Sequence, residues 1–182
     1  MVSVSRSVGV DLLDASATRA AIAAARPLVV YHLAAQAHVG DSWRDPAGTL
    51  RDNVAMTLNV LEAVRGEVPE ATVVAVASGE VYGPPDRLPV DEAAPLRPQN
   101  PYAVSKASGD LLAGFYADAH GLRVIRARAF NHAGPGQAPV YAITSCGRSF
   151  AGSTTCSTST PAIRASIATS SRDDAVRPEQ ML

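Results

Sequence analysis

An α/β fold organised as a doubly wound parallel sheet is what this sequence predicts. Two observations carry that expectation. Short, continuous apolar runs at 28–33, 71–77 and 124–129 read as strands, and segments of helical periodicity at 15–25, 45–68 and 100–120 alternate with them. Strands separated by helices of this length are joined by crossovers, and crossovers give parallel pairing.

Each element has its own local signal. Ala15 to Ala25 is alanine-rich and opens at Asp14, a good N-cap. Leu28-Val29-Val30-Tyr31-His32-Leu33 is apolar without a break, which predicts a strand buried on both faces with His32 in the core. From Asp45 to about Val68, Leu50, Val54, Leu58, Leu61 and Val64 recur every three or four residues. That spacing predicts a long amphipathic helix, with Pro46 tolerated in its first turn. Ala71 to Ala77 reads as a second buried strand. Gly83-Pro84-Pro85-Asp86 opens a loop punctuated by Pro89, Pro95 and Pro98. A helix then runs from about Asn100 to about His120 and stops at Gly121, a good residue just past a helix end. Val124 to Ala129 is the last clear strand.

Composition narrows the class. A length of 182 residues fits one domain with a real core. The net charge of −1 and hydrophobic content of 47% suggest neither a nucleic-acid surface nor an acidic disordered chain. No apolar run approaches the roughly 20 residues that span a bilayer, and the start lacks a signal-peptide core. Cys146 and Cys156, with nine residues between them, form neither a disulfide framework nor a metal-ligand spacing. The expectation is a soluble cytoplasmic protein.

Chemistry concentrates in Val-Ala-Ser-Gly-Glu-Val-Tyr-Gly (76–83) and Pro-Tyr-Ala-Val-Ser-Lys (101–106). Tyr102 and Lys106, four residues apart, lie on one face of a helix. A free tyrosine has a pKa near 10 and exchanges its proton poorly at neutral pH. An ammonium one turn away favours the phenolate and brings that pKa towards the working range. Ser78, arriving from a strand end, can hydrogen-bond the same substrate oxygen. Tyrosine and lysine are each common on helix surfaces. The serine segment and Phe-Asn-His-Ala-Gly-Pro-Gly-Gln (130–137) downstream turn the pair into a hydride-transfer site.

With His-Leu-Ala-Ala-Gln-Ala-His-Val (32–39) and Arg-Ala-Phe-Asn-His-Ala-Gly-Pro-Gly-Gln (128–137), these segments resemble the extended short-chain dehydrogenase/reductases that act on nucleotide sugars. The resemblance runs from about Gly9 to about Ala142. It is nearest to the GDP-mannose branch, the reductases that make GDP-6-deoxy-mannose, with the GDP-mannose 4,6-dehydratases as neighbours. It implies a Rossmann-like domain, NAD or NADP as cofactor, a nucleotide-sugar substrate, and a homodimer in the full-length form.

Residue by residue, the resemblance implies Ser78 and Tyr102 as the proton-relay pair. Lys106 would bind the nicotinamide ribose and tune the tyrosine. Asp11 and Leu12 match the pair that contacts adenine. Leu33, Ala34, Ala35 and Phe130 fall on the cofactor side, and small alanines after a strand would let a cofactor approach the backbone, although strand-end packing explains them equally well. Gln36 and Asn131, with Ser78 and Glu80, fall on the substrate side. Asn53, polar and inside a helix, is expected to fix the active-site backbone first and to serve the cofactor second. His132 reads as a loop histidine. His38 and Trp43 fit either a sugar pocket or ordinary packing.

Glu80 separates the reactions. Dehydratases of this kind need a carboxylate there, a threonine where this chain has Ser78, and usually an acid or hydroxyl where it has Gly79. The expectation is therefore reduction of the 4-keto group of GDP-4-keto-6-deoxy-mannose, ahead of 4,6-dehydration, with epimerisation third. A rival of another class is a non-catalytic fragment. A dinucleotide fold begins with a strand, a glycine-rich turn and a helix, and no Gly-x-x-Gly-x-x-Gly occurs in the chain. The domain is accordingly read as residues 1–143, truncated at its N-terminus, inactive alone, and without a proper C-terminal substrate domain. From Thr144 to Ser171, 14 of 28 residues are Ser or Thr. Residues 144–182 are thus expected to be a tail without packed elements, or the product of a shifted reading frame.

Overall fold

In a computed structural model of the chain, which describes residues 9–131 and 166–169, the expected alternation is present. The elements are α1 (Ala15–Ala25), β1 (Val29–His32), α2 (Val39–Arg44), α3 (Pro46–Glu67), β2 (Thr72–Val76), α4 (Pro101–His120), β3 (Arg123–Arg128) and β4 (Ser166–Thr169). The sheet order is β1-β2-β3-β4. The first three strands pair in parallel, with Val30 opposite Val73 and Val73 opposite Val124. Successive crossovers run in one direction along the sheet, and α3 and α4 pack on each other.

The long helices begin and end where side chains satisfy their free backbone groups. Asp14 accepts from the Ser16 and Ala17 N–H groups at 2.8 and 3.0 Å. Asp45 accepts from Gly48 at 2.8 Å, and Asn100 from Ala103 at 2.7 Å. Pro46 and Pro101 sit in first turns, where a missing N–H costs nothing. Gly121, at φ +69°, adopts the left-handed conformation that ends α4. Between these helices and the sheet lies the core of Ile22, Val60, Leu61, Val64, Val73, Ala113 and Val124. No helix among the described residues is long and apolar enough to cross a membrane.

Three expectations are corrected. Strand β1 is not buried on both faces: Tyr31 is 57% and Leu33 69% exposed. Among the described residues it is the edge strand, and only the face bearing His32, which bonds Thr57 of α3, is covered there. In α3, Leu50 and Leu58 point outward, whereas Thr49, Asp52, Asn53 and Thr57 are buried. The N-terminal half of that helix turns its polar side inward because it supports the site described below. Between β1 and α3 lies α2, capped by His38, whose Nδ1 accepts from the Asp41 N–H at 3.3 Å. Finally, β4 pairs antiparallel with β3 inside the Ser/Thr-rich stretch, with Ile125 opposite Thr169. Edge pairing requires only free backbone N–H and C=O groups, so it can occur without hydrophobic alternation. His132, residues 134–136, both cysteines and the other tail residues lie outside the described residues.

Candidate active site

The carboxyl edge of the parallel strands gathers the chemistry-bearing residues, the position at which such sheets bind ligands. Pairing of β2 with β3 continues past the strand: Ala77 N–H donates to Ala127 at 2.8 Å and Gly79 N–H to Ala129 at 2.7 Å. Ser78 is held between these bonds, half-buried. It caps a short 3₁₀ turn, Gly79–Tyr82, with Oγ accepting from the Glu80 N–H at 3.2 Å. Tyr102 and Lys106, one turn apart in the first half of α4, are also half-buried, and α4 packs on the 3₁₀ turn.

One side chain joins the 76–83 segment to the start of α4. Asn100 caps α4 through Oδ1 and donates from Nδ2 to Glu80 Oε2 at 2.8 Å. A second bridge starts at Asn53. Its Oδ1 accepts from Gln36 N–H at 2.7 Å, while Nδ2 donates to Gln36 O at 3.3 Å and to Ser105 Oγ at 2.8 Å. Ser105 in turn donates to the Tyr102 carbonyl at 2.7 Å. Asn53 thus ties the connection after β1 to the helix that carries Tyr102. The Gln36 side chain is turned onto α3, donating to Asp52 at 3.2 Å.

A small cleft is lined by His32, Ala34, Ala35, Asn53, Thr57, Ala77, Ser105, Lys106 and Asp110. Burial there disfavours charge. It pushes the His32 imidazole down to about 4, helped by the Lys106 ammonium. It also pulls the Lys106 amine down to about 8, while the Asp110 carboxylate works the other way. Arg128 behaves oppositely. Burial opposes its charge, but its hydrogen bonds to Asp110 and Tyr82 outweigh that and raise its pKa.

The remaining expected residues are dispersed. Leu12 is packed in the core, and its carbonyl accepts from Asn59 at 2.8 Å. The Asp11 carboxylate accepts from the Leu13 N–H at 3.0 Å. Leu33 is exposed, and Asn131 is exposed at the end of the described segment. Trp43 is 64% exposed and lines an open groove with Pro46, Leu50, Pro98, Pro101 and Val104. Phe130 lies against Gly79: a Cβ added there would come within 2.6 Å of the ring. That ring stacks on Tyr82, with centroids 6.2 Å apart. Sequence reasoning missed Asn100, Ser105, Asp110 and Arg128 as site residues. Asp110 was legible, since it follows Lys106 by one turn on the same face.

Comparison with known proteins decides the family. A family model described as GDP-mannose 4,6 dehydratase matches residues 4–153. The chain belongs to that family. Among curated relatives, the GDP-6-deoxy-D-mannose reductase of Pseudomonas aeruginosa is 42% identical over 127 residues, covering 69% of this chain and 42% of the relative. The dTDP-glucose 4,6-dehydratase of Streptomyces griseus is 43% identical over 130 residues, covering 71% and 38%. Among solved structures, RMD from Pseudomonas aeruginosa, complexed with NADPH, superposes with a TM-score of 0.71 at 39% identity. It matches 77% of this chain and 47% of its own. The chain therefore spans less than half the length of these relatives. Family members include nucleotide-sugar reductases, dehydratases and epimerases, and the parallel sheet with flanking helices is Rossmann-like in the manner of these neighbours.

Proposed function

We propose that this site serves NAD(P)-dependent reduction of a 4-keto sugar nucleotide, GDP-4-keto-6-deoxy-mannose first among candidates. The observation that carries the reading is the joining of Ser78, at the carboxyl edge of β2, to the Tyr102/Lys106 helix through Glu80 and Asn100. On this reading the nicotinamide and ribose half of a dinucleotide lies over the cleft, where Ala34, Ala35 and Ala77 are small and Lys106 offers an amine. When bound, the cofactor supplies the hydride. Tyr102 gives its proton to the oxygen that gains charge, and Ser78 holds that oxygen by a hydrogen bond. The Lys106 ammonium lowers the cost of removing the phenolic proton. Ala34, Ala35, Leu33 and Phe130 face the cofactor side, with Asp11 and Leu12 towards adenine. Gln36, Glu80 and Asn131 serve the substrate side. The NADPH held by the Pseudomonas aeruginosa neighbour favours NADPH.

Reduction is preferred to dehydration because the Phe130 ring occupies the space that a side chain at Gly79 would need. The dehydratase reading is favoured by Glu80, an exposed carboxylate fixed by Asn100, and by the dTDP-glucose 4,6-dehydratase relative. A homodimer is supported by an apolar stripe of Leu50 and Leu58 on α3 with Val104, Leu111 and Phe115 on α4, all exposed. The 182 residues contain no Gly-x-x-Gly-x-x-Gly motif for a pyrophosphate.

The test therefore uses a chimera in which residues 9–131 replace the matching part of the Pseudomonas aeruginosa reductase, with products separated by chromatography. Tyr102→Phe is expected to lower 4-keto reduction by about 10²–10⁴-fold while sparing NADPH binding. Glu80→Gln is expected to lower it only modestly. Conversion of GDP-mannose without added reductant, abolished by Glu80→Gln, would refute reduction and establish dehydration.

A further inference from the structure

Lys106 is the single lysine of the chain, and its amine must remain charged in a cleft that disfavours charge. Asp110 stands one helical turn further along the same face and lines the same cleft. The Asp110 side chain is 0% exposed, yet it is rigidly held. Arg128 donates from Nε to Oδ1 at 3.1 Å and from Nη2 to Oδ2 at 2.8 Å, the two-pronged geometry that fixes a carboxylate most firmly. Arg126 adds a bond to Oδ2 at 3.3 Å. The remaining prong of Arg128, Nη1, reaches the Tyr82 hydroxyl at 2.9 Å and the Glu92 carbonyl at 3.0 Å. The guanidinium carbon also lies 5.3 Å from the Tyr82 ring centre. One arginine thereby references the Asp110 carboxylate to β3, to the turn that follows Ser78 and to the proline-rich loop.

We propose that Asp110, locked by Arg128, is the positioning residue of Lys106: its carboxylate is the counter-charge that keeps the ammonium protonated and aimed into the cleft. This rests on the reading of Lys106 as the amine that supports Tyr102. An ion pair serving only to hold β3 on α4 would leave Lys106 unaffected. The groups around Lys106 are His32 from β1, uncharged Asn53 and Thr57 from α3, and Asp110 from its own helix, with Arg126 and Arg128 of β3 behind it. Asp110 is the one carboxylate among the residues lining the cleft.

The single lysine makes a direct test practical on the whole 182-residue chain. Reductive methylation with ¹³C-formaldehyde labels Lys106 and the α-amine alone, and nuclear magnetic resonance follows each through a pH titration. Lys106 is expected to titrate near 8 in the wild type, and about one pH unit lower in Asp110→Asn. Asp110→Glu, which retains the charge, is expected to recover most of that loss. Asp110→Asn leaves Arg128 buried with part of its pairing gone and can fail to fold. The double variant Asp110→Asn/Arg128→Gln removes both buried charges and is expected to move Lys106 in the same direction. Lys106 titrating at the wild-type value in either variant, folded by circular dichroism, would overturn the proposal. Full reduction by the Tyr102→Phe chimera would overturn the reading of the site instead, and would leave the titration result standing.

Discussion

Acidification from pH 7 to pH 4 is expected to destabilise this fold chiefly through one side chain, His32. The imidazole is 6% exposed, bonds the Thr57 hydroxyl at 3.1 Å, and titrates at about 4 in place of 6.5. Burial is the larger cause and the Lys106 ammonium the smaller. A base whose folded pKa is depressed binds its proton more readily once unfolded. Between about pH 6.5 and 4 the unfolded chain therefore carries more protons, and stability falls as pH falls through that window. Above 6.5 the effect is absent, and below 4 it is complete. At about 1.4 kcal/mol per tenfold change in proton affinity, the displacement from 6.5 to about 4 amounts to about 3 kcal/mol. That is a large part of a domain's usual margin of roughly 5–15 kcal/mol. The assay is the urea midpoint at closely spaced pH values for the wild type and for His32→Gln, whose amide can still bond Thr57 but cannot titrate. The carboxylates held down by hydrogen bonds, such as Asp14, Glu62 and Asp86, lose their contribution mainly below pH 4. They do so equally in both proteins and cancel in the difference. If wild type and His32→Gln lose stability in parallel from pH 6.5 to 4, the reasoning fails.

Two further outcomes follow from the site's geometry. Asn53→Ala removes three hydrogen bonds that join the Gln36 backbone to Ser105 and leaves buried polar groups without partners. It is expected to cost about 1–3 kcal/mol in urea unfolding, and to raise hydrogen exchange selectively around residues 34–37. Gly79→Ser places a Cβ where the Phe130 ring lies. It is expected to cost about 1 kcal/mol or more and to alter the near-ultraviolet circular dichroism of the Tyr82–Phe130 stack. An unchanged spectrum with unchanged stability would show that the ring does not occupy that space.

Several features of this chain were legible in its sequence because their causes are local. Helix ends follow from Asp14, Asp45, Asn100 and Gly121, each acting on backbone groups a few residues away. The alternation of apolar runs with helical periods fixed the order of strands and helices, hence parallel pairing. The Tyr102/Lys106 spacing placed both residues on one helix face, and a polar Asn53 inside an amphipathic helix announced that it needs a partner. What the sequence left open depends on which surfaces the fold covers. An apolar run such as Leu28 to Leu33 looks the same on an edge strand as at the centre of a sheet. Only the layer packed against it decides which of its residues are buried. The inward turn of α3's polar side arises because Gln36 and Ser105, 17 and 52 residues from Asn53, meet it there. The same holds for Arg128, whose partners Asp110 and Tyr82 are 18 and 46 residues away, and for Phe130 over Gly79. Local propensity specifies these elements, but long-range contact alone determines which charges face one another inside the cleft, and so what Lys106 can do there.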